Sequence, residues 1–134
     1  MEKIRLKDKD FQMSIPHSTI YQSVKKIARQ ISDDFQNKET PTFLSILNGA
    51  FMFTADLFKE LSINGYVSFV KFASYQGTSS AGEVKELIGL NEDLKGKNVI
   101  IVEDIIDSGL TIHQVVAQVQ NLQPRALKVA SLLL

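Results

Sequence analysis

The run Val99-Ile100-Ile101-Val102-Glu103-Asp104-Ile105-Ile106-Asp107-Ser108-Gly109-Leu110-Thr111 constrains the fold more than any other part of the chain. Four apolar β-branched residues read as a buried strand. Two adjacent carboxylates, a third carboxylate and a Ser-Gly-Leu-Thr turn follow, and after Thr111 the apolar spacing becomes helical. A buried strand that ends in acids and passes through a glycine turn into a helix points to the ligand-binding edge of an open α/β sheet.

The rest of the chain supplies the parts such a sheet needs. Residues 1–10 read as a polar lead-in, and Phe11, Met13 and Ile15 alternate as a short strand stopped by Pro16. Ser18 and Thr19 are N-cap candidates, with Thr19 and Gln22 in capping-box spacing. Ile20, Val24, Ile27, Ile31 and Phe35 recur at helical spacing, and Lys25, Lys26, Arg29 and Gln30 form a solvated opposite face of a helix ending near Asn37. Thr42 to Leu47 reads as a buried parallel strand, Asn48-Gly49-Ala50 as a tight turn, and Phe51 to Leu61 as a helix with Phe51, Met52, Ala55 and Phe58 toward the core. Tyr66 to Phe72 is a third strand. Residues 73–82, rich in Gly, Ser and Thr, read as a lid-like loop, and Val84 to Leu90 alternate as an antiparallel return strand. A polar turn centred on Lys95-Gly96 precedes the central strand at 99–102. Thr111 with Gln114 opens a helix carrying Ile112, Val115, Val116, Val119 and Leu122 on its buried stripe; Pro124 ends it, and Ala126 to Leu134 is a further strand. The expected architecture is α/β: a mainly parallel sheet with flavodoxin-like winding, flanking helices and a mobile lid hairpin. It forms one domain, residues 1–134.

Composition narrows the function. Fifteen basic residues balance fifteen acidic ones, so no basic stripe marks a nucleic-acid partner. Cysteine is absent, which removes disulfides and thiolate metal sites and fits a cytoplasmic location. The charged first ten residues lack the apolar core of a signal peptide, and no apolar run approaches the ~20 residues of a membrane span.

The central run then specifies its own chemistry. Carboxylates at the end of a parallel strand accept hydrogen bonds from sugar hydroxyls or hold Mg²⁺ through water. Successive N–H groups at the start of a helix, beside the Ser108 and Thr111 hydroxyls, form an anion cup. Acids for a ribose beside N–H groups for a phosphate match a ribose 5-phosphate. The spacing of Asp104, Asp107 and Gly109 does not fit a Ca²⁺ loop, and no Gly-x-Gly-x-x-Gly is present for a dinucleotide.

The run from Val102 to Thr111 resembles the phosphoribosyl diphosphate (PRPP) motif of the type I phosphoribosyltransferases, and more narrowly that of the hypoxanthine-guanine phosphoribosyltransferases. Leu47-Asn48-Gly49-Ala50-Phe51-Met52-Phe53 resembles the pyrophosphate loop of that family. The stretch from Ser74 to Lys85 resembles its mobile catalytic loop, and Lys128-Val129-Ala130-Ser131-Leu132-Leu133 the strand after the PRPP helix.

The resemblance implies roles. Glu103 and Asp104 would bind the ribose hydroxyls, directly or through Mg²⁺. Asp107 would be the general acid/base at purine N7. Asp107, Ser108, Gly109, Leu110 and Thr111 would hold the 5′-phosphate. Leu47, Asn48 and Gly49 would contact pyrophosphate, with a cis bond between Leu47 and Asn48. Ser74 and Tyr75 would close over the reaction. The reaction implied is transfer of 5-phosphoribosyl from PRPP to hypoxanthine or guanine, giving IMP or GMP, by a homodimer or homotetramer with neither nucleic acid nor membrane as partner. The chain departs from the family in two places. Asn48 stands where many members carry Lys or Arg. Members also continue past the last strand with a Lys, an aromatic residue and an acid that read the purine. Leu132 to Leu134 end the sequence inside an apolar strand. The expectation is therefore a domain that lacks a C-terminal purine-binding part, binds PRPP weakly and turns over poorly. The alternatives are a PRPP-sensing or nucleotide-sensing regulator on the same fold, or transfer to another base.

Overall fold

A computed structural model describes residues 3–6, 9–12, 15–76, 83–105 and 110–133. Residues 3–6, 9 and 10 are strand and not lead-in: β1 (Lys3–Leu6) and β2 (Lys9–Gln12) pair antiparallel, Lys3 opposite Gln12, and Phe11 is strand as expected. Met13 and Ser14 lie outside the described residues. Helix α1 (His17–Phe35) buries Val24, Ala28, Ile31 and Phe35, while Lys25, Lys26 and Arg29 stay exposed. Its N-cap is Pro16, not Ser18 or Thr19. The extended Pro16 (φ −61°, ψ 145°) aims its carbonyl into the first turn, where it accepts from Thr19 N–H at 3.1 Å and Ile20 N–H at 3.2 Å.

Strand β3 (Thr42–Leu47) has the bounds that its apolar run predicts. Helix α2 (Phe51–Glu60) follows the loop at 48–50, but its buried residues are Phe53, Thr54 and Leu57. Phe51 and Met52 are 52% and 62% exposed and Ala55 is exposed, contrary to expectation. Strand β4 (Tyr66–Gln76) runs through Ser74 and Tyr75, which pair with Lys85 and Val84 of β5 (Glu83–Ile88). Both residues are therefore strand positions and not loop. Cross-strand backbone bonding to β5 carries β4 past the apolar run that alone marked it in the sequence. The rest of the expected lid, residues 77–82, lies outside the described residues.

Strand β6 (Asn98–Ile105) includes Glu103 and Asp104. Helix α3 (Leu110–Gln120) starts before Thr111, so Thr111 is not its N-cap, and Leu122 is 41% exposed beyond its end. Strand β7 (Ala126–Leu133) completes the sheet. Gly96, at φ +74°, makes the turn before β6. Its N–H donates to Gln123 O and Arg125 N–H donates to Lys97 O, each at 2.9 Å, which brings the entrances of β6 and β7 together and sets Asn98 opposite Ala126.

The five strands lie in the order β5-β4-β3-β6-β7, parallel except for β5. The four parallel strands thus follow the 2-1-3-4 order of flavodoxin-like winding. Two cores flank the sheet. On one side α1 and α2 enclose Phe43, Ile100, Val102 and Ala130. On the other, Val115 and Val119 of α3 cover Leu44, Ile46, Val70, Val99 and Ile101.

Candidate active site at the switch point

In this winding the chain leaves β3 toward one side, to β4, and later returns to the other, to β6. Loops diverge at the carboxyl ends of β3 and β6, and the divergence leaves a crevice. Leu47, Asn48 and Gly49 follow β3; Glu103 and Asp104 end β6. Topology thus brings two distant sequence segments to one edge.

They meet closely. A Cβ placed on Gly49 would lie 2.8 Å from Oδ1 and 3.0 Å from Oδ2 of Asp104, so the Asp104 carboxylate rests where only a hydrogen fits. Alternation along β6 agrees: Ile100 and Val102 face the α1/α2 core, Val99 and Ile101 the α3 core, and Asp104 falls on the α2 side. The peptide between Leu47 and Asn48 is cis, as expected. Asn48 and Gly49 are exposed, while Ala50 is buried. Ala50 N–H donates to Ile46 O at 3.1 Å, and Ala50 O accepts both Thr54 N–H at 2.8 Å and the Thr54 hydroxyl at 2.7 Å. Ser45 Oγ lies 2.7 Å from Thr54 Oγ1.

The acids are held from the backbone. Asp104 N–H donates to Glu103 Oε1 at 3.1 Å, and Ile105 N–H donates to Asp104 Oδ1 at 2.8 Å. Burial pushes the Glu103 carboxyl up to about 7, helped by its hydrogen bond to the Asp104 side chain and the charge there, and opposed by the Asp104 N–H. Two adjacent half-buried carboxylates are hard oxygen donors. Among the described residues no group of three or more His, Cys, Asp or Glu side chains forms a metal cage. That donor set suits Mg²⁺, which takes one or two carboxylates and keeps several waters, better than zinc or calcium.

A family model described as "Phosphoribosyl transferase domain" matches residues 16–134. The chain belongs to this family. It is 37% identical over 124 residues to the hypoxanthine phosphoribosyltransferase of Escherichia coli strain K12, covering 91% of this chain and 70% of that protein. It is 33% identical over 113 residues to the hypoxanthine-guanine-xanthine phosphoribosyltransferase of Tritrichomonas foetus, covering 84% of this chain and 61% of that one. A crystal structure of a hypoxanthine-guanine phosphoribosyltransferase from Bacillus anthracis superposes with a TM-score of 0.74 at 32% identity, over 96% of this chain and 71% of that one.

On this phosphoribosyltransferase sheet Ser74 and Tyr75 stand on β4, paired with β5, and the other expected site residues fall into three groups. Leu47, Asn48, Gly49, Glu103 and Asp104 come together at the switch point. Leu110 and Thr111 open α3, at the same end of the sheet as the carboxyl end of β6. Asp107, Ser108 and Gly109 lie outside the described residues. Ser45 and Thr54 had drawn no functional reading. A serine inside an otherwise apolar strand, with a threonine nine residues on in the following helix, was the available signal.

Proposed function

We propose that the chain serves purine salvage as a hypoxanthine-guanine phosphoribosyltransferase domain, residues 1–134, moving 5-phosphoribosyl from PRPP to the purine base and releasing pyrophosphate. The observation that carries this reading is the seating of Gly49 on Asp104, which sets a loop of exposed backbone beside a ribose-binding acid. Displacement at the anomeric carbon develops oxocarbenium character. The leaving pyrophosphate is already anionic, so N–H donors of Asn48, Gly49 and the start of α2 stabilise it without a proton. Glu103 and Asp104 bind the ribose hydroxyls and hold Mg²⁺, which supplies charge neutralisation when bound. Asp107 takes the N7 proton as the purine attacks. Asp107 to Thr111 cradle the 5′-phosphate, and Ser74 and Tyr75 belong to the strand arm that excludes water. IMP is the product from hypoxanthine, the cytoplasm the location, and a homodimer or homotetramer the assembly.

The test is nucleotide formation from hypoxanthine, PRPP and Mg²⁺, followed in wild type and Asp107→Asn. The substitution is expected to lower turnover about 10²–10⁴-fold and, since it keeps the backbone N–H through which residue 107 would serve the phosphate, to leave PRPP affinity nearly unchanged. Equal turnover in the two proteins would remove Asp107 from the acid/base role. Turnover in wild type that Asp107→Asn abolishes, even at the low level expected of this chain, rules out the regulator.

A further inference from the structure

We propose that the buried hydroxyl pair Ser45–Thr54 is the positioning device of the 47–50 loop, fixing Ala50 and thereby seating Gly49 on the Asp104 carboxylate. The pair is fully enclosed: Ser45 is 0% and Thr54 3% exposed. Its proton order follows from the partners. Thr54 has one hydroxyl proton, and it goes to Ala50 O at 2.7 Å. Ser45, 2.7 Å from Thr54 Oγ1, must therefore be the donor to Thr54. The result is a directed relay from β3, through α2, to the carbonyl of the last loop residue. A lone threonine bonding back to the carbonyl four residues earlier weakens a helix slightly. Here a second hydroxyl, from the strand beneath, ties that turn to the sheet.

Helix α2 has a particular use for such a tie. Its N-cap is Ala50, and no side chain caps it. The usual means of fixing a helix start, a Ser, Thr, Asp or Asn side chain bonded to the first N–H groups, is missing. Among the described residues no capping side chain competes for the N–H groups that follow Ala50, so they can face an anion. The relay holds the turn through its carbonyl side instead. Alanine at 50 then leads directly to Gly49, whose missing Cβ admits the Asp104 carboxylate. Ser45 and Thr54 touch no substrate; they act through Ala50 and Gly49 and are positioning residues.

The proposal rests on the diphosphate role given to this loop, and two readouts separate the two ideas. The first is amide exchange at Ala50 in the ligand-free protein. The second is calorimetric binding of inorganic pyrophosphate with Mg²⁺. Thr54→Val, which keeps the shape and drops the hydroxyl, is expected to speed Ala50 exchange and weaken pyrophosphate binding, each about tenfold. Thr54→Ser restores both to within about twofold, because it restores the hydroxyl. Ile31→Val trims the same core from α1; it lowers the melting temperature and leaves both readouts unchanged. Unaltered exchange in Thr54→Val overturns the relay, and faster exchange with unaltered binding overturns its part in the site. If wild type binds no pyrophosphate while Thr54→Val still loosens Ala50, the relay stands as a loop-positioning device and the function assigned to the loop falls.

Discussion

Glu103→Gln should make the ligand-free protein more stable at high pH and no more stable at low pH. The carboxyl of Glu103 titrates at about 7 in the folded chain, against an ordinary 4.5. Between those values the folded state holds a proton that the unfolded state has lost, so stability falls as pH rises. The contribution is fully present below about 4.5 and gone above about 7. At about 1.36 kcal/mol per pKa unit the full difference is about 3.4 kcal/mol. Glu103 is only half-buried, and solvent screening reduces this to about 1–2 kcal/mol. Glutamine resembles the protonated acid and does not titrate. Urea unfolding of both proteins should give equal free energies at pH 4.5 and a variant more stable by about 1–2 kcal/mol at pH 8. Titrating groups away from the Glu103–Asp104 pair cancel in the difference. An equal difference at both pH values would refute the reasoning. So would a variant that is less stable at pH 8. A ligand bearing Mg²⁺ prefers the ionised pair, so wild-type affinity for Mg²⁺–PRPP should fall as pH drops below about 7.

Three further changes follow from packing. Gly49→Ala would set a Cβ 2.8 Å from Asp104 Oδ1, displacing a carboxylate that the Ile105 N–H holds; melting should drop by a few degrees, and PRPP affinity should fall by more than tenfold. Gly65→Ala would place a Cβ 2.7 Å from Cε1 of the fully buried Phe43, in the angle of its edge-to-face pair with Phe58; calorimetric melting should show a loss of about 1–3 kcal/mol. Thr42 Oγ1 is buried with no hydrogen-bond partner among the described residues, so Thr42→Val should raise stability by about 1 kcal/mol in the same measurement.

The parts of the fold legible in the sequence were those written in local pattern. The run at 42–47 appears where its pattern places it, and of the stripe Ile20, Val24, Ile27, Ile31 and Phe35 the residues Val24, Ile31 and Phe35 are buried while Ile20 and Ile27 are partly so. The misreadings share a cause. Phe51 and Met52 look like core by hydrophobicity, yet α2 turns Phe53, Thr54 and Leu57 inward. Thr54 looks like surface until its hydroxyl is seen to be satisfied by Ala50 and Ser45. Ser74 and Tyr75 look like loop, and only pairing with a strand ten residues away makes them strand. The charged first residues hide a hairpin four residues long on each side. In each case the deciding partner is distant in sequence or polar, and neither kind leaves a periodic trace. Of the candidate site, the acids at 103–104 and the loop at 47–49 were each visible in the sequence, while 106–109 lie outside the described residues. That Gly49 and Asp104 share one point in space is a product of winding order.

The covering of the sheet by α1 has a consequence for how the chain comes to be folded. Residues 24–35 of α1 pack on Ile100, Val102 and Ala130, and Asp34 Oδ2 meets Lys128 Nζ at 3.2 Å across 94 residues of sequence. Most of the sheet residues that α1 covers therefore lie far downstream of it in the sequence. Until β6 and β7 emerge, the apolar stripe of α1 has only α2 and Phe43 of β3 to cover it. Such long-range closure slows folding and leaves nascent hydrophobic surface open to association.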